Sequence, residues 1–165
     1  MKCLVFSDSH GASLGVVNAL RAHKDAEVVF FLGDGLREID SLMKKYPDKA
    51  WIAVRGNCDF YPYFNGEEAE KTVTLTLSGY RITATHGDLY GVKYASAGLV
   101  KLAADARSDI VLFGHTHERF GKSVAYSDRK VLLFNPGSVS DSFCSFGVLM
   151  LDEEVEFSFE SALEI

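Results

Sequence analysis

Seven side chains of this 165-residue chain, all of types that bind metal ions, stand just beyond the ends of apolar segments. Asp8 and His10 flank Ser9 after an apolar run, and Asp34 lies between Gly33 and Gly35. Asn57 follows Gly56, His86 precedes Gly87, and His115 and His117 form a His-x-His pair after Ile110-Val111-Leu112-Phe113. Neutral imidazole is a metal ligand, and two at this spacing can face one cavity. Four of the five histidines stand in such positions, which scattered surface histidines would not do. Mixed nitrogen and oxygen donors suit Mn, Fe, Co, Ni or Zn better than Ca or Mg. One tetrahedral zinc ion takes about four ligands. Seven donors instead match two divalent ions of higher coordination that share a bridge, and Asp34, with two carboxylate oxygens, is the expected bridge.

Read singly, each motif has a plain structural explanation. Asp8-Ser9-His10 would serve as a helix N-cap with a bystander histidine. Gly33-Asp34-Gly35 and Gly56-Asn57 would serve as turns, and His86 as a satisfied or exposed histidine. Their joint occurrence in one small chain is what favours a metal centre.

The elements that must position these residues follow from periodicity. Residues 2–7, 28–32 and 51–54 are short apolar runs that predict buried strands, each ending at one of the motifs. Helical spacing predicts helices over 12–24 and 36–46, the second stopped by Pro47. His23, among Arg21, Lys24 and Asp25, is expected to be a solvated helix residue. Alternating strands and helices argue for an α/β arrangement, in which function gathers beyond the carboxyl ends of the strands. Residues 60–70 are expected to be irregular. Residues 71–77 alternate polar and apolar and predict a half-buried strand, turned by Ser78-Gly79 into a hairpin partner over 80–85. A helix over 93–106 leads to the strand at 110–113, and strands are predicted over 123–126, 130–134, 145–151 and 155–159. The last alternates Val155, Phe157 and Phe159 against Glu156, Ser158 and Glu160, so one face should be buried. One domain over 1–165 is expected, an α/β half followed by a mostly antiparallel half, hence two packed sheets.

Composition sets the outer limits. Hydrophobic content of 47% and charged content of 24% are those of an ordinary globular protein. With 17 basic against 23 acidic residues, the net charge of -6 leaves no electrostatic footprint for long nucleic acid. No apolar run approaches the roughly 18 residues of a membrane span. Cys3, Cys58 and Cys144 are odd in number and scattered, which argues against a disulfide framework. Met1–Phe6 runs straight into a strand pattern, and a reducing cytoplasm is the expected compartment.

In their order, Asp-x-His, Gly-Asp, Gly-Asn-x-Asp, His-Gly and Gly-His-Thr-His resemble the calcineurin-like metallophosphoesterase superfamily. Asn135-Pro136-Gly137-Ser138 resembles a further loop these proteins carry beside the site. The short chain without insertions is similar to the compact YfcE-like phosphodiesterase branch. The resemblance implies a four-layer α/β/β/α sandwich of two mixed β-sheets flanked by helices. It implies one metal held by Asp8, His10, Asp34 and His117 and a second by Asp34, Asn57, His86 and His115, with manganese the expected ion.

Two metals roughly 3.5–4 Å apart can share a hydroxide and clamp a phosphoryl group for in-line attack. Two divalent ions, two carboxylates and one hydroxide sum to about +1, which suits a phosphodiester of charge about -1. The resemblance thus implies a binuclear phosphodiesterase acting on small phosphate esters, with Asn57, Cys58, Asp59 and His86 as the catalytic set. Cys58 departs from the histidine that many superfamily phosphatases carry in that loop. A thiol is a poorer proton donor than an imidazolium, so a phosphomonoesterase is the less favoured reading. The YfcE-like branch carries the same Cys. Asp59 is expected to support the loop. Arg37, Tyr61, Tyr90, Lys93 and Arg119 follow the motifs and are candidates to line the pocket.

Three rivals differ in class. A non-catalytic scaffold on the same fold would not need all seven donors to be of competent type. A nuclease would need a basic groove. A zinc lactamase-like fold would need a tight His-x-His-x-Asp-His cluster, whereas residues 115–120 read His-Thr-His-Glu-Arg-Phe. The aromatic run Phe60-Tyr61-Pro62-Tyr63-Phe64 is expected either to cap the core or to form a contact patch, and a homo-oligomer is a modest expectation.

Overall fold

The apolar and alternating runs sort into two five-stranded sheets. The computed structural model of the protein describes residues 1–140 and 144–163, so the last two residues of the 1–165 range expected for the domain lie outside the described residues. In the first sheet, β1 (Lys2–Phe6), β2 (Val28–Phe31) and β3 (Ala50–Ala53) run parallel, joined by helices α1 (Leu14–Ala22) and α2 (Leu36–Met43). A small hairpin follows, β4 (Tyr63–Phe64) with β5 (Glu67–Glu68), within the stretch expected to be irregular.

The second sheet begins with the predicted hairpin of β6 (Thr72–Leu77) and β7 (Tyr80–Thr85). It continues through α3 (Ala97–Ala106) to β8 (Ile110–Leu112), then β9 (Arg119–Tyr126) and β10 (Arg129–Pro136). The helix α3 starts four residues later than its periodicity suggests, because a turn closed by Tyr94 N–H donating to the Gly91 carbonyl precedes it. Strands β11 (Ser145–Leu151) and β12 (Val155–Ser161) then return to the first sheet. The sheet orders are β12-β11-β1-β2-β3 and β6-β7-β8-β10-β9.

The second half is therefore less antiparallel than expected. The crossover through α3 sets β8 parallel to β7, and β10 also lies parallel to β8. A crossover helix, unlike a tight turn, returns the chain in the same direction.

Strand alternation builds the layers. In β1, Leu4 and Phe6 point to the helices, where they meet Val16, Leu20, Leu36 and Ile39. Cys3 and Val5 point the other way and meet Phe30, Leu112 and Phe134 between the sheets. In the second sheet Val111, Phe113, Val131 and Leu133 face outward onto Leu99 and Ala103 of α3. Helices, sheet, sheet and helix make the four layers. β2 is buried along its whole length, which explains why it reads as a continuous apolar run rather than an alternating one.

Two expectations fail locally. His23 is not a solvated helix residue: it caps the C-terminus of α1, its ring nitrogen lies 2.8 Å from Glu160 Oε2, and its ring packs edge-on against Phe146. The charges near it in sequence hid a partner 137 positions away. Phe157 is 40% exposed despite its place in the apolar register of β12. It lies over Gly121 and edge-on to Phe134 at the rim of the sandwich. Among the described residues no helix is long and apolar enough to cross a membrane.

Candidate metal centre

Every motif residue falls just past the carboxyl end of a strand: Asp8 and His10 after β1, Asp34 after β2, Asn57 after β3, His86 after β7, and His115 and His117 after β8. The two sheets present these ends at one edge. Loop-to-loop hydrogen bonds then draw them together: Asp8 N–H to the Gly33 carbonyl, His10 N–H to the Asp34 carbonyl, and Gly114 N–H to the His86 carbonyl. Five of the seven candidates, Asp8, His10, Asp34, His115 and His117, have left-handed backbone. Asp and His tolerate that conformation better than most residues, yet such a concentration marks a functional site. The N-cap reading of Asp8-Ser9-His10 fails, since α1 begins at Leu14 with Ser13 at its N-cap.

All seven candidates meet. Asp8, Asp34 and His86 form a buried floor, while His10, His117 and Asn57 stand at the mouth with Cys58. His10 Nε2 is 3.2 Å from His117 Nε2, and His117 Nε2 is 3.2 Å from Asp8 Oδ1. On the other side His86 Nε2 lies 3.0 Å from Asn57 Oδ1, 3.2 Å from His115 Nδ1 and 3.4 Å from Asp34 Oδ2. Asp34 reaches both sides, lying with its oxygens within 4.8 Å of donor atoms of His10 and of His86.

Asp8 Oδ1 provides the test of whether a cation fits. Asp8 is fully buried, and among the described residues this oxygen has no hydrogen-bond partner. The Nε2 atoms of His117, His10 and His86 lie 3.2, 3.8 and 4.0 Å from it. A buried anionic oxygen without a donor is costly. Ringed by imidazole nitrogens, it matches what a divalent ion needs.

The electrostatics agree. Burial pushes the Asp34 carboxyl up, but the His86 imidazole and the Cys58 N–H, which donates to Oδ1 over 2.7 Å, hold it at about 2. Burial pulls His86 down, yet its hydrogen bond to Asp34 and the charge of Asp8 leave it raised. The Nδ1–H of His86 donates to the Leu32 carbonyl over 2.7 Å, which directs Nε2 into the site. Burial, His86 and Lys93 lower His115. Burial and then Asp34 raise Cys58, which is accordingly a thiol at neutral pH.

Asp59, expected both in the catalytic set and as a loop support, holds the loop through its carboxylate. Its Oδ2 accepts the N–H groups of Asp34 and Gly56, and its Oδ1 those of Gly35 and Leu36. Four backbone donors occupy the carboxylate and join the loops after β2 and β3. Gly56 allows that closeness, because a Cβ there would overlap Asp34 Oδ1.

Other supports were not legible. Glu38 Oε1 accepts from Ser9 Oγ and Gly11 N–H and so holds the first loop; in sequence it is one acid among many in a helix. Asn135 Nδ2 donates to the Gly114 carbonyl and Thr116 Oγ1, and Ser138 Oγ to the Asp8 carbonyl. The Asn135–Ser138 loop therefore does lie beside the site. Of the expected lining residues, Arg37 and Tyr61 border a cavity next to His10 and Asp34. Lys93 and Arg119 border another beside Thr116. Tyr90 borders neither, and its hydroxyl instead contacts Thr72 Oγ1.

Comparison with known proteins gives consistent results. The profile of the calcineurin-like phosphoesterase superfamily domain matches residues 1–154. YsnB of Bacillus subtilis (strain 168), a probable metallophosphoesterase, is 32% identical over 142 residues, covering 84% of this chain and 75% of that protein. Among solved structures, a predicted phosphoesterase from Streptococcus pneumoniae TIGR4 superposes with a TM-score of 0.78 at 26% identity, covering 98% of this chain and 89% of that one. YfcE, a phosphoesterase from E. coli, superposes with a TM-score of 0.69 at 26% identity, covering 99% and 94%.

Replacing Asp59 by Ala removes four acceptor contacts at once. The expected loss is about 3 kcal/mol, measured by urea unfolding, and Asp59→Asn should lose less. The charged Asp34–His86 pair predicts a stability window in metal-free protein. Asp34, lowered from 3.8, contributes fully above that value and progressively less as pH falls through its folded pKa of about 2. His86, raised from 6.5, contributes fully below that value and progressively less as pH rises through its higher folded pKa. Urea midpoints should therefore be highest between about pH 4 and 6.5, and Asp34→Asn should flatten both flanks.

Proposed function

The chain belongs to the calcineurin-like phosphoesterase superfamily and sides with its compact branch, and from that premise we propose that it is a binuclear metal-dependent phosphodiesterase acting on small phosphodiesters. The observation that carries the reading is the buried, unpartnered Asp8 oxygen facing three imidazoles. Asp8, His10, Asp34 and His117 would hold one ion, and Asp34, Asn57, His86 and His115 the other. When bound, two such ions supply Lewis acidity at a phosphoryl oxygen and acidify water; manganese is proposed, with Fe, Co, Ni or Zn as alternatives.

The chain's own residues do the rest. His86 is oriented by the Leu32 carbonyl, and Asp34 by the Cys58 N–H. Asn57 contributes a neutral oxygen rather than a third carboxylate, which keeps the site positive enough for an anionic substrate. Its Nδ2 lies 3.1 Å from Cys58 Sγ, so the thiol stands at the mouth next to a candidate ligand. An uncharged thiol there supports diesters with good leaving groups over monoesters, which need more help with proton delivery. A partner-binding role without catalysis gives no reason for seven competent donors on a buried carboxylate floor. Three cysteines, odd in number and scattered, suit a reducing compartment, and a cytoplasmic location is proposed.

Metal-stripped protein reloaded with manganese should hydrolyse bis(4-nitrophenyl) phosphate, and Asp34→Asn should lower kcat/KM more than about 100-fold. Bound metal without turnover would sink the proposal. Cys58→His should raise 4-nitrophenyl phosphate hydrolysis relative to the diester by about ten-fold or more, because it adds an imidazolium beside the leaving group. An unchanged ratio of the two rates would remove Cys58 from the account of specificity.

A further inference from the structure

The cavity beside the metal centre is about 250 Å³ and opens directly onto His10, Asp34 and Cys58. Its other wall carries Arg37, Phe60 and Tyr61. Phe60 is 95% exposed, and among the described residues its ring contacts no other aromatic ring. Its backbone is nevertheless held in place: it follows Asp59, whose carboxylate is fixed by four backbone N–H groups, and its own N–H donates to the Cys58 carbonyl over 3.0 Å. Tyr61, 52% exposed, stands edge-on to Tyr63 at 5.4 Å. Arg37 lies in the first turn of α2, and among the described residues its guanidinium makes no ion pair or hydrogen bond. The acid beside it, Glu38, is already engaged by Ser9 and Gly11.

These features fit one kind of ligand group. An exposed aromatic face on an anchored backbone suits a planar ring, and stacking of a base on such a face does not depend on which base it is. A fork of free guanidinium donors suits ring nitrogens and carbonyl oxygens at the edge of that plane. A simple alkyl arm would use neither. Building on the phosphodiesterase reading, the geometry points to a nucleoside as one alcohol arm of the substrate, its base stacked on Phe60 and its edge acceptors met by Arg37. Phe60 and Arg37 are then specificity-determining residues.

The test measures dissociation constants of manganese-loaded protein by calorimetry for adenosine 5′-monophosphate, phenyl phosphate and methyl phosphate. These share a phosphate and differ only in the arm. Hydrolysis of methyl 4-nitrophenyl phosphate is followed in parallel. The nucleotide should bind about ten-fold or more tightly than methyl phosphate, with phenyl phosphate between them. Phe60→Ala should collapse the nucleotide-to-methyl ratio, and Arg37→Gln should collapse the nucleotide-to-phenyl ratio. Tyr94, equally exposed but lining the other cavity, should not matter to either ratio.

Equal affinities in the wild-type protein, with the methyl diester still hydrolysed, would overturn the nucleoside assignment and leave the phosphodiesterase reading standing. Phenyl phosphate matching the nucleotide would overturn it in favour of any aryl arm. A ratio that collapses with Tyr94→Ala and survives Phe60→Ala would move the subsite and overturn it too. Loss of both methyl phosphate binding and methyl diester hydrolysis would overturn the parent reading and this inference with it.

Discussion

A carboxylate without exposed surface, with one oxygen that no donor satisfies, is the constraint on which the rest of this structure depends. Asp8 holds that position at the end of the central strand of the first sheet. Burying such a charge costs several kcal/mol unless something positive lies close. The surroundings supply imidazoles from its own loop and two others, and Oδ2 is met by the His115 N–H at 3.1 Å. Ser7 Oγ, just before it in the same loop, is likewise buried and, among the described residues, unpartnered. Among the described residues only Arg55 Nε shares that condition, so two such atoms side by side describe a binding site better than they describe a folding core.

The same constraint explains the lacing of the loops. An anionic floor repels itself, so Asp8 and Asp34 can be held together only by a rigid frame. Asp59 provides part of it by collecting four N–H groups, two of which belong to Gly35 and Leu36 at the start of α2. It therefore caps a helix and fixes the loop that carries Asp34 with one carboxylate, in a place where negative charge also complements the helix dipole. Gly114 makes the equivalent concession on the second sheet, since a Cβ there would overlap Ser7 Oγ and press on Asp8 Oδ2.

Local signals explain what was legible in the sequence. The seven donors could be read because each follows a strand whose apolar pattern is strong, and the ends of parallel strands collect at one edge whatever the loops do between them. The inner faces of β1 and β8 follow from alternation. What could not be read depends on contacts distant in sequence. His23 pairs with Glu160 across 137 residues, and nothing near it distinguishes it from a surface histidine. β8 is parallel to β7 because α3 crosses over between them, and β10 is parallel to β8 because it returns from β9 to lie between β9 and β8, neither of which strand periodicity encodes. Glu38 could not be singled out because its role lies in the loop it touches rather than in its own helix. A supporting role for Asp59 is legible because it shares a loop with Asn57; its four backbone contacts are beyond reach of any spacing rule.

The site divides into parts with different physical demands. The floor, Asp8, Asp34 and His86, is buried, so its geometry is fixed by packing, and any change in it strands a charge. The mouth, from Asn57 to Tyr61, is solvent-facing except for Asp59, so its side chains can change without repacking a core. Yet the mouth is not loose, because the Asp59 carboxylate anchors it from below. A rigid base with a replaceable surface lets one loop serve two ends: Asn57 meets His86 and Asp59 fixes the backbone, while Cys58, Phe60 and Tyr61, interleaved with and following them, face solvent. Specificity for a phosphate ester can therefore diverge at Cys58, Phe60 and Tyr61 while the buried donors stay as they are, which is the arrangement expected where function is carried by loops on a rigid scaffold.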